Sequence, residues 1–162
     1  MGEEKQKSGE GGETSVLQGR NAYLDENGFS TDAYTAPTYT VQVFGRELTF
    51  RNRPTRQRVI PLHDLHHVVT GYGTDLAGEA EIGAWELVGG CNTPFLYAIN
   101  GAAVLFGLIL EPRRVIRAAR SARGQRTLYK EGSRYEELLT LSVAELRERL
   151  GVPADGVAST TR

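Results

Sequence analysis

Two histidines and two carboxylates in the middle of the chain have the types and spacing of a metal site. His63 and His67 are four residues apart, so on a helix both imidazoles leave the same face and can converge on one ion. Asp64 directly follows His63, and Glu79 follows His67 after eleven intervening residues. Two imidazoles and two carboxylates suit zinc, iron or manganese, and ligand type alone does not separate these metals. The sequence therefore predicts a divalent-metal site at these four residues.

Asp64 has two interpretations, as a metal ligand and as the catalytic residue of the site. If it does not bind the ion, it could orient a ligand imidazole or move a proton. His66 is left out of the ligand set, because it projects about 60° or more away from the pair formed by His63 and His67. All three histidines of the chain nevertheless fall within five positions. Packing alone hardly explains that concentration.

Other chemistries share fragments of this pattern and are disfavoured. His-Asp phosphohydrolases need a further histidine well before the His-Asp pair, and none precedes His63. Zinc peptidases have a glutamate at the position of Asp64, whose side chain is one methylene shorter. Cys91 is a lone cysteine beside two glycines, which is typical of a small buried apolar residue rather than a nucleophile.

Two consecutive helices are predicted to position the metal ligands. Hydrophobic residues recur at helical spacing over Val59–Val69, and Gly71 can take the left-handed conformation that ends a helix. A second helix is predicted over Leu76–Val88, because Thr74 and Asp75 supply an N-cap. The short connector makes the two helices antiparallel neighbours. That packing would bring Glu79 to His67.

The remaining segments predict a mainly α protein with one small β element. Alternation over Tyr39–Phe50 predicts a hairpin with one buried face. Pro94–Leu110 is the most apolar stretch, and we interpret it as a buried core helix rather than a membrane span. Pro112 is predicted to begin a further helix. Capping boxes at Ser133 with Glu136 and at Ser142 with Glu145 predict two short helices.

The length of 162 residues favours one domain. We expect a disordered tail over residues 1–20, an extension with the β-hairpin over 21–55, a helical metal-binding domain over 56–153 and a flexible tail over 154–162. With one cysteine and no recognisable signal or transit pattern, a reduced cytoplasmic location is expected. A net charge of -1 and a pI near 6.3 argue against nucleic-acid binding.

The metal pattern resembles the ubiquinone biosynthesis proteins called coenzyme Q biosynthesis protein 4, of a bacterial type. That family has His-Asp-x-x-His followed after eleven residues by glutamate, as at His63, Asp64, His67 and Glu79. The resemblance covers Val59 to Val152. It extends through Leu-Ala-Gly-Glu in the second helix and a basic Arg-Gly-Gln-Arg stretch to a terminal Leu-Arg-Glu-Arg-Leu-Gly.

The resemblance implies a zinc-type site and a substrate that is a polyprenylated benzoquinone precursor. The reaction it implies is oxidative decarboxylation at ring carbon one, by a metal-dependent decarboxylase or hydroxylase. The alternative is a non-catalytic, isoprenoid-lipid-binding scaffold. The implied partners are a membrane, to whose inner face the protein would attach peripherally, and other ubiquinone-biosynthesis proteins. A homodimer is also expected. Arg113, Arg117 and Arg120 share a helical stripe that could contact anionic lipid headgroups. A solvated helix face is the equally weighted interpretation of that stripe.

Overall fold

The computed structural model describes residues 13–43 and 45–158, without the side chains of residues 42 and 43. The fold over these residues is mainly α with one β-hairpin, as predicted. The elements, in chain order, are α1 (Val16–Asn27), α2 (Asp32–Thr35), β1 (Thr38–Val43), β2 (Arg46–Arg51), α3 (Pro54–Thr70), α4 (Leu76–Gly89), α5 (Pro94–Leu110), α6 (Pro112–Ser121), α7 (Leu128–Glu131), α8 (Tyr135–Leu138) and α9 (Val143–Leu150).

The two helices predicted to position the metal ligands are α3 and α4. Gly71 ends α3 in the left-handed conformation, with φ of 78°, and its N–H donates to the carbonyl of His67. Asp75 caps α4, since its side chain accepts the N–H of Gly78. Helix α3 begins five residues earlier than predicted, with Pro54 in its first turn, where the missing amide hydrogen has no cost. The caps were therefore predicted better than the N-terminus of α3.

The hydrophobic core lies where α1, α3, α4, α6 and α9 meet. Its fully buried side chains include Val16, Leu65, Val69, Ile82, Trp85, Leu146 and Leu150. Helix α1, which the pattern missed, begins with a capping box in which Ser15 and Gln18 accept each other's backbone N–H groups. The N–H of Val16 donates to the carbonyl of Leu141, which joins α1 to the segment before α9.

Both predicted tails are shorter than expected. Val16 begins a helix and is fully buried, so the disordered tail cannot reach residue 20. At the other end Val157 is buried and its N–H donates to the carbonyl of Thr70. Residues 1–12 and 159–162 lie outside the described residues. The packed part of the chain therefore extends beyond the predicted helical domain at both ends.

The hairpin forms where predicted, but its expected buried face is absent. Strands β1 and β2 pair antiparallel, with Tyr39 opposite Phe50 and Val41 opposite Leu48. Every residue of β2 is exposed. Tyr39 alone of these four is half-buried, because the guanidinium of Arg56 lies 3.7 Å from its ring centre. The alternating pattern therefore predicted the strands correctly and their burial incorrectly.

Helix α5 has the predicted bounds, but it is not a buried core helix. Only Leu96, Asn100 and Gly107 are buried along it. At Gly107 a Cβ atom would collide with Ala80, so this glycine permits close packing of α5 on α4. The opposite side exposes large apolar residues, among them Leu105 at 68% and Ile109 at 80%. Among the described residues no helix has the length and apolar character that a membrane crossing requires.

The expected helix cap at Ser133 is wrong, and the one at Ser142 is confirmed. Helix α8 begins after Arg134, with no side-chain cap. At Ser142 the side chain accepts the N–H of Glu145, whose carboxylate accepts the N–H of Ser142 in return. Helix α6 begins at Pro112 as predicted. Cys91 is buried and free, as expected of a small apolar residue.

Candidate metal centre

The imidazoles of His63 and His67 direct one nitrogen each at a common point. The Nδ1 of His63 lies 2.8 Å from a carboxylate oxygen of Glu86, and the Nδ1 of His67 lies 3.0 Å from the carbonyl of Tyr72. Both partners can only accept, so both Nδ1 atoms carry hydrogen and the neutral rings have a lone pair at Nε2. The two Nε2 atoms are 3.2 Å apart. Two lone pairs facing each other need a cation or a proton between them.

Glu79 completes the group from the first turn of α4. Its two carboxylate oxygens lie 3.5 Å from the Nε2 atoms of His63 and His67, respectively. Zinc bonds of about 2.0–2.1 Å at tetrahedral angles would separate neighbouring ligand atoms by about 3.3–3.4 Å. The nitrogen–nitrogen distance and the shortest nitrogen–oxygen distances are therefore close to those of a zinc-type site, and one ligand atom from each residue lies within 4.8 Å of the other two. Although burial opposes ionisation, hydrogen bonding to His63 and His67 lowers the pKa of Glu79 to about 2, which keeps it anionic.

Glu86 is the fully buried carboxylate that orients His63. Its Oε1 also accepts from the Nδ1 of His66 at 2.7 Å and the hydroxyl of Tyr129 at 2.8 Å, and its Oε2 accepts from Asn100 at 2.6 Å. Burial opposes its ionisation, but the charge of His63 holds its pKa well below the ordinary value. A carboxylate on the distal nitrogen of a ligand imidazole fixes the ring and raises its basicity.

His66, which was left out of the predicted ligand set, belongs to the packed interior. Its Nε2 accepts the backbone N–H of Leu128 at 2.9 Å, while its Nδ1 donates to Glu86. Both nitrogens are thus used and the side chain is fully buried. Burial lowers the pKa of His66, which favours the neutral ring. This histidine joins α3 to the start of α7.

Asp64 is not among the three residues whose ligand atoms converge. It is buried beside them, and its Oδ2 accepts the hydroxyl of Tyr34 at 2.6 Å. Burial raises the pKa of the Asp64 carboxyl. The hydrogen bond from Tyr34 and the charges of His63 and His67 oppose that increase. The converging ligand group therefore does not include Asp64, contrary to its predicted role as a ligand, and its role in catalysis stays a prediction.

An open cavity of about 480 Å³ adjoins the converging ligands. His63, Asp64 and Glu79 line one end. Its apolar wall consists of Leu24, Phe29, Ala33 and Ile60, and its other polar lining residues include Tyr34 and Arg56. The ring of Tyr23 stacks on His67 with centroids 5.2 Å apart. The site therefore combines three residues that could hold a metal ion, a buried carboxyl group and an adjoining cavity with an apolar wall.

Several functional residues were missed at the level of sequence. Glu86 had a signal, since it stands seven residues after Glu79, two helical turns along the same face of α4. Tyr34, Asn100 and Tyr129 had none, because they come from three separate elements that only the tertiary fold brings together.

The chain matches no family model, no curated protein and no solved structure.

Proposed function

We propose that His63, His67 and Glu79 hold one divalent ion, with zinc favoured, and that the ion acts on a molecule in the adjoining cavity. The facing Nε2 atoms at 3.2 Å are the observation that carries the proposal. Three protein ligands leave a fourth position open for water or substrate, which is typical of catalytic rather than structural zinc. Glu86 and the carbonyl of Tyr72 are the groups that orient the two imidazoles.

The substrate we propose is the one implied by the family resemblance, a polyprenylated ring carboxylic acid of quinone synthesis. The apolar cavity wall supports it. The bound ion would polarise the carboxylated ring. Loss of carbon dioxide leaves the bonding electron pair on ring carbon one, and replacement by hydroxyl then requires an external oxidant such as oxygen. Asp64, held by Tyr34, is the group we assign to hold or deliver the proton.

Metal analysis of matched variants tests the proposal. The protein and its His63→Ala, Glu79→Ala and Glu148→Ala variants would be purified without chelators, and elemental analysis would be combined with mass spectrometry of co-purified lipid. We expect about one metal per chain in the parent and in the exposed-surface control Glu148→Ala, and loss in the other two. A metal-free parent from metal-replete cells would refute the site, leaving a proton on His63 to join the two imidazoles.

A non-catalytic lipid-binding module is the second candidate, and the apolar side of α5 favours it. Leu105 and Ile109 are among its exposed residues, and Arg113, Arg117 and Arg120 are exposed on the following helix. An apolar surface beside cations suits peripheral attachment to an anionic membrane surface, expected on its inner face. Arginines of α6 would then contact headgroups while α5 contacts acyl chains.

Vesicle flotation separates this candidate from a homodimer. We expect the protein to float with vesicles containing anionic lipid, and Ile109→Ser to reduce the floating fraction. Arg58→Ser, on the exposed side of α3, is the control. A dimer in size-exclusion chromatography that does not float with these vesicles would instead assign the α5 surface to a second copy of the chain. Flotation without bound metal would favour the module over the enzyme.

A further inference from the structure

Arg56 is a half-buried cation that lines the cavity beside the metal ligands, where the charge of Asp64 acts on it without a direct ion pair. Among the described residues no carboxylate oxygen lies within 4.0 Å of its guanidinium. One of its five N–H donors is used, by the Oδ1 of Asn52 at 3.2 Å from Nη1. Burial lowers the pKa of Arg56, which means that its charge is incompletely solvated. Such a cation has several donors available for an anion.

Two contacts hold this guanidinium in place. Its face lies 3.7 Å from the ring centre of Tyr39, on the hairpin. Asn52, which follows the hairpin, is buried and donates to the carbonyls of Ala33, Tyr34 and Ala36 at 3.2, 3.2 and 2.8 Å. The same asparagine thus fixes α2, which contributes Ala33 and Tyr34 to the cavity wall, and the orientation of Arg56. Because these contacts hold the guanidinium in place before a ligand binds, Arg56 loses less side-chain entropy on binding.

We infer that Arg56 is an anion-binding residue that fixes the acidic group of an amphipathic ligand at the end of the cavity away from the metal position. Arg56 and His63 are seven residues apart on α3, two turns on one face, with backbones about 10 Å apart along the axis. Ile60 lies between them and lines the same cavity. The ligand is therefore an apolar molecule with an anionic head, a carboxylate or a phosphate.

This inference rests on the proposed function only in placing the substrate in that cavity. Arg56 also lines a second cavity of about 420 Å³, together with Tyr39, Phe50 and Phe95. The metal cavity is the one we assign, because there Arg56 shares walls with His63, Asp64 and Glu79. A ligand held at both ends would be oriented toward the reacting groups, which accelerates a reaction by positioning.

Calorimetric titration with three ligands of one chain length tests the assignment. Octanoate, octyl phosphate and 1-octanol share an apolar body, so their affinities isolate the effect of the anion. We expect octanoate or octyl phosphate to bind about tenfold or more tightly than octanol, since hydrogen bonds to charged groups exceed neutral ones in strength. The stronger of the two anions identifies the head group. Equal affinity for all three ligands would overturn the inference.

Four variants locate the effect. Arg56→Met should reduce anion affinity to the octanol level, and Arg56→Lys should fall between, because lysine keeps the charge without the fork. Arg58→Met, exposed on the same helix, is the matched control. Ala33→Trp should obstruct the metal cavity and block all three ligands. Octanoate binding that survives Arg56→Met, or that survives Ala33→Trp while depending on Arg56, would overturn the assignment.

Thermal melts and metal analysis of the same preparations keep the two proposals separable. A folded Arg56→Met protein with its metal and without the anion preference supports the inference directly. Arg56→Lys provides the same test if Arg56→Met unfolds through loss of the contact with Tyr39. Anion binding that depends on Arg56 in a protein without metal would refute the metal site and leave the anion site standing. Bound metal without an anion preference would refute the anion site and leave the metal site standing.

Discussion

The interior around Glu86 and the outer side of α5 depart from the usual distribution of residues in opposite directions. The interior buries an ionised carboxylate and two histidines, His66 and His67, that proteins normally keep near water. The outer side of α5 places Leu105 and Ile109 in solvent. No charged residue interrupts α5 from Pro94 to Leu110. One region is polar inside, and the other is apolar outside.

The two departures differ in whether the chain itself accounts for them. Within the described residues every buried side-chain nitrogen and oxygen has a hydrogen-bond partner. Glu86 alone accepts from His63, His66, Asn100 and Tyr129, which offsets the cost of burying its charge. The outer side of α5 has no such internal explanation. The comparison teaches that contacts within this fold satisfy the polar interior, whereas the described residues leave the outer side of α5 uncovered.

Removing the central carboxylate should have the largest effect on stability. Glu86→Ala would leave four donors around a buried space, two of them on His63 and His66. We expect the free energy of unfolding to fall by about 3–5 kcal/mol, as when one partner of a buried ionic pair is deleted. Urea unfolding of the metal-free proteins measures it.

Glu79, a second carboxylate of α4 that contacts His63, is the matched control. Glu79 has 40% of its side chain exposed, and an exposed ionic contact contributes at most about 1 kcal/mol. Glu79→Ala should therefore unfold near the parent in the absence of metal. If Glu86→Ala were no less stable than Glu79→Ala, the interior network would not be a stabilising feature of the fold.

When zinc affinity is measured instead of stability, substitution of Glu79 should have the larger effect and substitution of Glu86 the smaller one. Glu79→Ala removes a ligand, and we expect zinc affinity to fall by more than the 10- to 100-fold typical of groups behind the ligands. Glu86→Gln changes a group that orients His63 and is not itself a ligand, so the loss of zinc affinity should fall within that range. Competition with a chromophoric chelator measures both. A larger loss in Glu86→Gln than in Glu79→Ala would reverse the assigned roles.

Zinc affinity should rise with pH because a proton competes for His63. Burial opposes protonation of this ring, but the charge of Glu86 raises its pKa well above the ordinary value. Metal binding must then displace that proton, so apparent affinity increases by about tenfold per pH unit below the raised pKa. Chelator competition between about pH 6 and pH 8 tests the sign. An affinity that falls as pH rises would exclude displacement of a proton.

Local signals in the sequence predicted the ligand-bearing helices, and tertiary contacts decided everything around them. Asp75 and Gly71 mark helix ends by their own backbone chemistry, so neighbours were not needed to place them. The apolar run of α5 likewise fixed a helix. Periodicity cannot say whether an apolar face meets a partner, and that is why α5 and the hairpin were wrongly expected to be buried.

The site shows the same limit on prediction. The spacing of His63, His67 and Glu79 was sufficient to group them, because two consecutive helices bring them together. Asp64 shares their sequence neighbourhood, yet its carboxylate faces Tyr34 of α2, an element that no pattern revealed. Arg56 depends in the same way on Tyr39 of the hairpin and on Asn52, which follows the hairpin. Contacts over long sequence separations are what the pattern could not supply.

Substitution on the outer side of α5 should have the smallest effect and tests the other half of the comparison. Ile109 is 80% exposed, so Ile109→Ser should change the free energy of unfolding by no more than about 0.5 kcal/mol. The result should not vary with protein concentration when this surface faces water in an isolated chain, because no association equilibrium then contributes to stability. Urea unfolding at two widely separated concentrations measures both properties. A loss that appears only at high concentration would mean that a second copy covers this surface in solution, since association stabilises by mass action.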